Sequence, residues 1–526
     1  MKRLLRPRRP LTGLLTAALL ATPLFALSPA AAAASAPALI PKPVSQQTLA
    51  GETFTLQSST AVSVVASPDE RAAATKVAEQ LSAQLRRSTG FTVPLASTGT
   101  IRLSTDGASS LGAEGYQLRV DRTAVTVTAA TPEGLFRGVT TLRQLLPAKA
   151  DASTTQAGPW TIAGTAISDS PRYAYRGTML DVSRHFFSVA EVKRYIDLAS
   201  LYKLNKLHLH LADDQGWRLQ IDSWPRLATY GGSLEVGGTP GGYYTKADFA
   251  EIVRYAGERY LTVIPEIDTP GHTNAGLASY ADLNCNGVAP PLYTGTNVGF
   301  SSLCVGKAVT YSFLNDVFGE IAAQTPGDIV HLGGDEAHST PHADYVTFLN
   351  KASTIVASKG KRVMGWHEIG DTALPAGSIV QYWGTDDTAS RDLARQAATK
   401  GATVVMSPAN RAYLDMKYNK DTPYGLSWAG LVSVEKAYSW NPSALIPNLP
   451  ASAVAGVEAP VWSETLDDID KVEFMAFPRL PGIAELGWSQ ASALNWTAYK
   501  DRLAGQGSRW DALSVNFYRA PEIAWR

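Results

Sequence analysis

A chain of 526 residues, 45% hydrophobic and 18% charged, can bury a sizeable core and does not have a disordered composition. Its 47 basic and 47 acidic residues cancel, so the basic patch that a nucleic-acid partner needs is not expected.

The N-terminus runs from basic MKRLLRPRRP through apolar LTGLLTAALLATPLFAL to small-residue SPAAAAASAPA. That order predicts a secretory signal peptide over 1–34. A membrane anchor fits less well, because Pro23 interrupts the apolar stretch and small residues follow it instead of charges. The leader holds Lys2, Arg3, Arg6, Arg8 and Arg9 and no acid, so its removal leaves a mature chain about five units acidic. No later uncharged run is long enough to span a bilayer, and a secreted, extracellular protein without a membrane partner after cleavage is expected.

Residues 37–168 read as a small α/β domain. GYQLRV and AVTVTAA have the look of strands. ERAAATKVAEQLSAQLRRSTG has helical periodicity ending at Gly90, and TPEGLFRGVTTLRQLLP is a second helix stopped by Pro147. The domain contains no histidine, and a structural or docking role without chemistry is expected of it.

From 170 to 526 the pattern changes. Eight apolar or β-branched runs appear at 176–183, 205–213, 261–268, 328–336, 362–368, 378–384, 402–409 and 454–464. Amphipathic stretches separate many of them. In SVAEVKRYIDLASLYK, Ser188 and Glu191 make a capping-box pattern. Eight alternating units predict a (β/α)8 TIM barrel, α/β in class, with a C-terminal helix and an aromatic-rich end after about residue 492. Cys285 and Cys304 are the only cysteines. In an exported chain they predict a disulfide, worth roughly 3 kcal/mol in the chain-entropy model, with two free thiols as the alternative.

Active sites of such barrels lie at the C-terminal ends of the strands. Arg184 follows the first run, and Asp213 and Asp214 end the second. Asp268 ends the third with His272 just beyond, and Asp335 and Glu336 end the fourth. Trp366, Trp383 and Trp462 close the fifth, sixth and eighth, with Glu464 last. Carboxylates, an arginine and tryptophans at one mouth suit a sugar, since aromatic faces stack on pyranose rings and carboxylates accept from hydroxyls.

HLGGDEAH (331–338), together with DVSRHF (181–186), LHLADDQGWR (209–218) and EIDTPGH (266–272), resembles the family 20 glycoside hydrolases, the β-N-acetylhexosaminidases. The resemblance covers essentially the whole mature chain. It implies an exo-acting enzyme that removes terminal β-linked N-acetylglucosamine or N-acetylgalactosamine from chitooligosaccharides and glycan ends. The substrate's own acetamido oxygen would serve as nucleophile, through an oxazolinium intermediate.

On that resemblance Glu336 is the general acid and base, Asp335 orients the acetamido group, and Tyr413 holds its carbonyl. Trp366, Trp383 and Trp462 wall its methyl. Arg184, Asp415 and Glu464 bind ring hydroxyls, and Asp213 with His272 forms a polar pair beside Glu336. Asp268 supports Asp335. Trp428 fits an outer subsite or simple packing equally. His331, His338 and His367 read as core or rim histidines.

Other readings stay open at this point. A disaccharide-releasing lacto-N-biosidase would carry the same motifs. A sugar-binding barrel without catalysis would keep the tryptophans but not need the acids. The clustered histidines and acids tempt a metal-dependent hydrolase, but HExxH is absent, and neither metal nor cofactor is expected.

Overall fold

The computed structural model describes residues 38–526, and the expected signal peptide lies outside them. The first part is a six-stranded sheet: β1 (Ser45–Thr55), β2 (Val62–Val65), β3 (Ile101–Ser104), β4 (Tyr116–Val120), β5 (Val125–Ala129) and β6 (Thr161–Asp169), in the order β1-β6-β4-β5-β3-β2. Two helices, α1 (Arg71–Thr89) and α2 (Pro132–Leu145), pack on it. The helix end foreseen at Gly90 has a physical cap, and α2 ends at Leu145, two residues before the Pro147 foreseen as its stop. Gly90 stands at φ +73° and its N–H donates to the Arg86 carbonyl. Such a left-handed residue commonly ends a helix. Thr131 caps α2 by accepting from the Gly134 N–H, with Pro132 in the first turn.

Three of the six strands carry little sequence signal. β1 is largely exposed along its length, so its residues do not alternate cleanly, and β2 and β3 are four residues each.

The sheet's apolar core takes in Trp488 from the far end of the chain. Its indole N–H donates to Asp169 at 3.0 Å, where Lys203 (2.9 Å) and the Tyr116 hydroxyl (2.7 Å) also meet. All four side chains are buried, so the small domain is fastened to the barrel by a paired charge instead of by apolar contact alone.

The second part is a closed barrel of eight parallel strands: β7 (Tyr175–Asp181), β8 (Lys206–His210), β9 (Thr262–Glu266), β10 (Ile329–His331), β11 (Arg362–Trp366), β12 (Ile379–Tyr382), β13 (Thr403–Met406) and β14 (Val454–Val461). β14 pairs with β7 to close it. The helix α3 (Val189–Ser200) carries the expected capping box, Ser188 accepting from the Glu191 N–H while the Glu191 carboxylate accepts from that of Ser188. Two helices, Trp496–Ala504 and Gly507–Ala512, end the chain where one was expected.

The strands are shorter than the apolar runs suggested. β10 stops at His331 and β8 at His210, so Asp335, Glu336 and Asp213 sit on the loops that follow and not on strand ends.

Candidate active site

The loop after β10 explains how neighbouring acids reach one place. Residues on an extended strand would alternate between faces. Here Gly333 (φ +76°), Gly334 (φ +101°) and Glu336 (φ +46°) all take left-handed backbone. A Cβ on Gly333 would lie 1.7 Å from Asp268 Oδ1, and one on Gly334 2.5 Å from Ile369. The Gly334 N–H donates to Asp268 at 3.2 Å, and the Gly334 carbonyl accepts from the Tyr345 hydroxyl at 2.6 Å. The turn therefore needs its two glycines, and Glu336 bears strain of about 1–3 kcal/mol of the kind found at functional sites.

Gly333→Ala is accordingly expected to cost at least about 1–3 kcal/mol from backbone strain and to push Asp268 away from the turn. A thermal melt and an activity assay check this together. An unchanged melting temperature with full activity would show that the turn tolerates a side chain.

Asp335 and Glu336 converge instead of diverging. His272 Nε2 lies 3.6 Å from Asp335 Oδ2 and 3.4 Å from Glu336 Oε2, and one polar atom of each of the three residues lies within 4.8 Å of the others. His272 itself has φ +55°, and its Nδ1 lies 3.1 Å from Asp213 Oδ1. Burial opposes the imidazolium, but Asp213 and Asp335 outweigh it and hold the His272 proton well above the usual histidine range. Burial likewise works against the Asp213 carboxylate, yet Arg184 and His272 keep it well below the ordinary value.

Asp335 is 7% exposed and its Oδ1 has no protein partner. Burial first, then the nearby Glu368 and Glu336 charges, push its carboxyl up to about 7 against the pull of His272. Asp268 behind it is likewise held well above the usual carboxylate range, by burial and by Asp335 itself, so the two carboxyls titrate as a pair.

These groups open onto a cavity of about 370 Å³. Arg184, His272, Asp335, Glu336, Trp383, Tyr413, Trp462 and Glu464 line it. Arg184 is paired to Asp213 (2.8 Å) and Asp181 (3.4 Å), and its guanidinium stands 4.8 Å over the Trp462 ring. It is thus both an ion-pair partner and a wall of the pocket.

Trp366 and Asp213, each 1% exposed, stand one layer behind the lining. Trp366 packs on Trp462 at 5.7 Å between ring centroids and backs the wall instead of forming it. Asp415 also lies behind the lining, and both its carboxylate oxygens lack a protein partner. Burial and the neighbouring Glu464 raise it well above the usual range.

Several residues at the site were not foreseen from sequence. Thr296 and Val298 line the cavity from the loop held by the Cys285–Cys304 disulfide. They belong to no motif, and only the spacing of the two cysteines hints at an ordered loop there. Trp428, half exposed at 54%, joins them and stacks edge-on against Trp383 and Tyr413, which decides for the pocket over the core. Glu368, two residues past Trp366, accepts from the Trp383 indole at 3.1 Å, and burial pushes its carboxyl up to about 8.

Comparison with known proteins agrees with this geometry. Residues 173–491 match the model of the glycosyl hydrolase family 20 catalytic domain, and 36–170 that of the same family's domain 2. A β-N-acetylhexosaminidase of Cellulomonas fimi is 41% identical over 93% of this chain and 97% of its own. The structure of a family 20 β-N-acetylhexosaminidase from Streptomyces coelicolor A3(2) superposes with a TM-score of 0.91 at 57% identity, covering 93% of this chain and 99% of that one. A mutant β-hexosaminidase from Streptomyces plicatus, solved with its product GlcNAc, gives 0.90 at 56% identity over 93% and 98%. The chain belongs to glycosyl hydrolase family 20, as a glycoside hydrolase of the β-N-acetylhexosaminidase class.

Proposed function

We propose that the enzyme is exo-acting and retaining, and that it removes terminal β-linked N-acetylglucosamine or N-acetylgalactosamine by using the substrate's acetamido group as nucleophile. The observation that carries this reading is the convergence of Asp335 and Glu336 on one His272 nitrogen. Two carboxylates that flank a glycosidic bond stand about 5–5.5 Å apart in retaining enzymes and about 6.5–9.5 Å apart in inverting ones. Here an oxygen of each lies within 4.8 Å of the other, and both approach the same His272 nitrogen. That spacing suits a division of labour better than attack from opposite faces.

Glu336, with 28% of its side chain exposed, faces the cavity and protonates the leaving oxygen. Asp335 presents its partnerless Oδ1 to the acetamido N–H, and as a carboxylate it stabilises the positive charge of the oxazolinium ion. Tyr413 donates to the acetamido oxygen and holds it for attack on the anomeric carbon. Glu336 then takes a proton from the water that opens the ring, and configuration is retained. Arg184, Asp415 and Glu464 take the ring hydroxyls, satisfying buried polar atoms that the protein leaves unpaired. A cavity of about 370 Å³ suits one N-acetylated ring, which supports release of single sugars from chitooligosaccharide or glycan ends. The Cys285–Cys304 bond favours export, in keeping with the leader-like N-terminus.

The test is a rate comparison on chromogenic N-acetylglucosaminide, N-acetylgalactosaminide, plain glucoside and lacto-N-bioside. Turnover of the N-acetylated monosaccharides with none of the glucoside is expected. A glucoside cleaved at a comparable rate rules out acetamido participation, and preferred release of the disaccharide rules out the monosaccharide pocket.

A further inference from the structure

Beneath the pocket the barrel interior holds a buried charged network that these roles do not use. Its centre is Glu266, the last residue of β9, with no exposed surface. Four ring nitrogens converge on its carboxylate: His210 Nδ1 at 2.5 Å, His331 Nδ1 at 2.8 Å, Trp366 Nε1 at 2.9 Å and His208 Nε2 at 3.0 Å. Of these, His210 Nδ1 and the Trp366 indole N–H hydrogen-bond to it, while His208 and His331 stand in close contact and His331 Nδ1 accepts from the Gly333 N–H. A buried charge persists only when paired in this way. Burial opposes the two histidinium ions, yet Glu266 raises His210 to about 10 and, together with Glu458, His208 to about 9.

Two routes leave this carboxylate for the site. His210 Nε2 lies 2.7 Å from Asp213 Oδ2, and the other Asp213 oxygen holds His272, which faces Glu336. The Trp366 indole, fixed by its N–H, packs on Trp462, and Trp462 lines the pocket under Arg184. We propose that Glu266 is a positioning residue that sets both arms in one frame: through His210 and Asp213 it aims His272 at Glu336, and through Trp366 it seats the tryptophan wall. This rests on the roles given above to Glu336 and the wall.

The test compares two β-N-acetylglucosaminides, a methyl glycoside that needs its leaving oxygen protonated and a dinitrophenyl glycoside that does not. Glu266→Gln keeps the shape and removes the charge. It is expected to lower kcat/KM on the methyl glycoside about tenfold or more beyond its loss on the dinitrophenyl glycoside, a part of what general acid catalysis contributes. Trp366→Phe breaks only the second route and is expected to lower both by the same factor. His210→Gln leaves the other three neighbours of Glu266 in place and carries the same expectation as Glu266→Gln if that variant fails to fold.

A purely structural role would lower both substrates equally, so equal losses, or none, in Glu266→Gln or His210→Gln overturn the proposal. Glu336→Gln on the same pair separates the two levels. If it shows no leaving-group dependence, the reading of Glu336 fails. If it does while the other variants do not, only the role of Glu266 fails.

Discussion

Glu336→Gln is expected to lower kcat/KM by roughly 10²–10⁴-fold on substrates with poor leaving groups, the range general acid–base catalysis contributes. The amide keeps the size and the left-handed backbone of residue 336 but has no acidic proton to give. With a dinitrophenyl leaving group the first step needs no proton, so formation of the oxazolinium ion should survive and its opening by water, which needs a base, should become the slow step. Azide is already anionic and needs no base, so adding it should restore turnover of the activated substrate and yield a β-configured glycosyl azide. Rates on both substrates, with and without azide, check the whole scheme. Undiminished hydrolysis of the methyl glycoside would remove Glu336 from the chemistry, and an α-configured azide product would remove the retained intermediate.

The barrel was legible in sequence because its signal is repeated. Eight apolar runs survive small errors at each end, and a closed parallel barrel follows from their count and alternation. The limits of the runs were not legible. In VHLGGDE the apolar character continues past His331 to Leu332, but the glycines turn the chain almost as soon as β10 ends. The acids then meet at His272 and do not alternate, which a strand-based expectation has no means to foresee. His272 and Asp213 stood out as polar residues after apolar runs, and they do meet. Glu266 was hidden by the same logic, because a carboxylate inside a run reads as strand until its four nitrogen neighbours, from β8, β10 and β11, are seen around it. Thr296 and Val298 belong to an irregular loop whose path is set by a covalent bond and by packing at the mouth, and neither leaves a periodic trace.

The packing of charge at the site has a cost that its parts share. Asp335, Asp268, Asp415, Glu464 and Glu368 are all raised above the usual carboxylate range by burial and by neighbouring carboxylates. Such clustering stores destabilisation where charge is to develop. The cations Arg184 and His272 offset part of it through Asp213, and the sugar's hydroxyls and amide offset more when they bind.

Asp335→Asn is the variant in which this trade shows most clearly, with activity and stability expected to move in opposite directions. Loss of the carboxylate removes the charge facing the oxazolinium ion, and removal of one such group typically costs about 10²–10³ in kcat. The loss should fall on N-acetylated substrates and come with an altered pH profile. In the parent enzyme Asp335 must be ionised to act, and its carboxyl is pushed up to about 7. The acid limb of kcat/KM should therefore lie above the ordinary carboxylate range, and the variant should lose that limb.

The sign for stability follows from the same shift. Unfolded, the group ionises near its usual value, whereas folded it holds its proton to about 7. Its contribution is thus fully present below the unfolded pKa and is lost as pH rises through the folded one. A neutral asparagine carries no such loss, so Asp335→Asn should melt higher than the parent at pH 7 and above, with the difference shrinking towards pH 4. Thermal melts of both proteins across that range, beside pH–rate profiles, decide the matter. A variant that melts lower at neutral pH would show that Asp335 stabilises the fold as a charge, and one that keeps the parent's rate would show that the acetamido group is steered by something else.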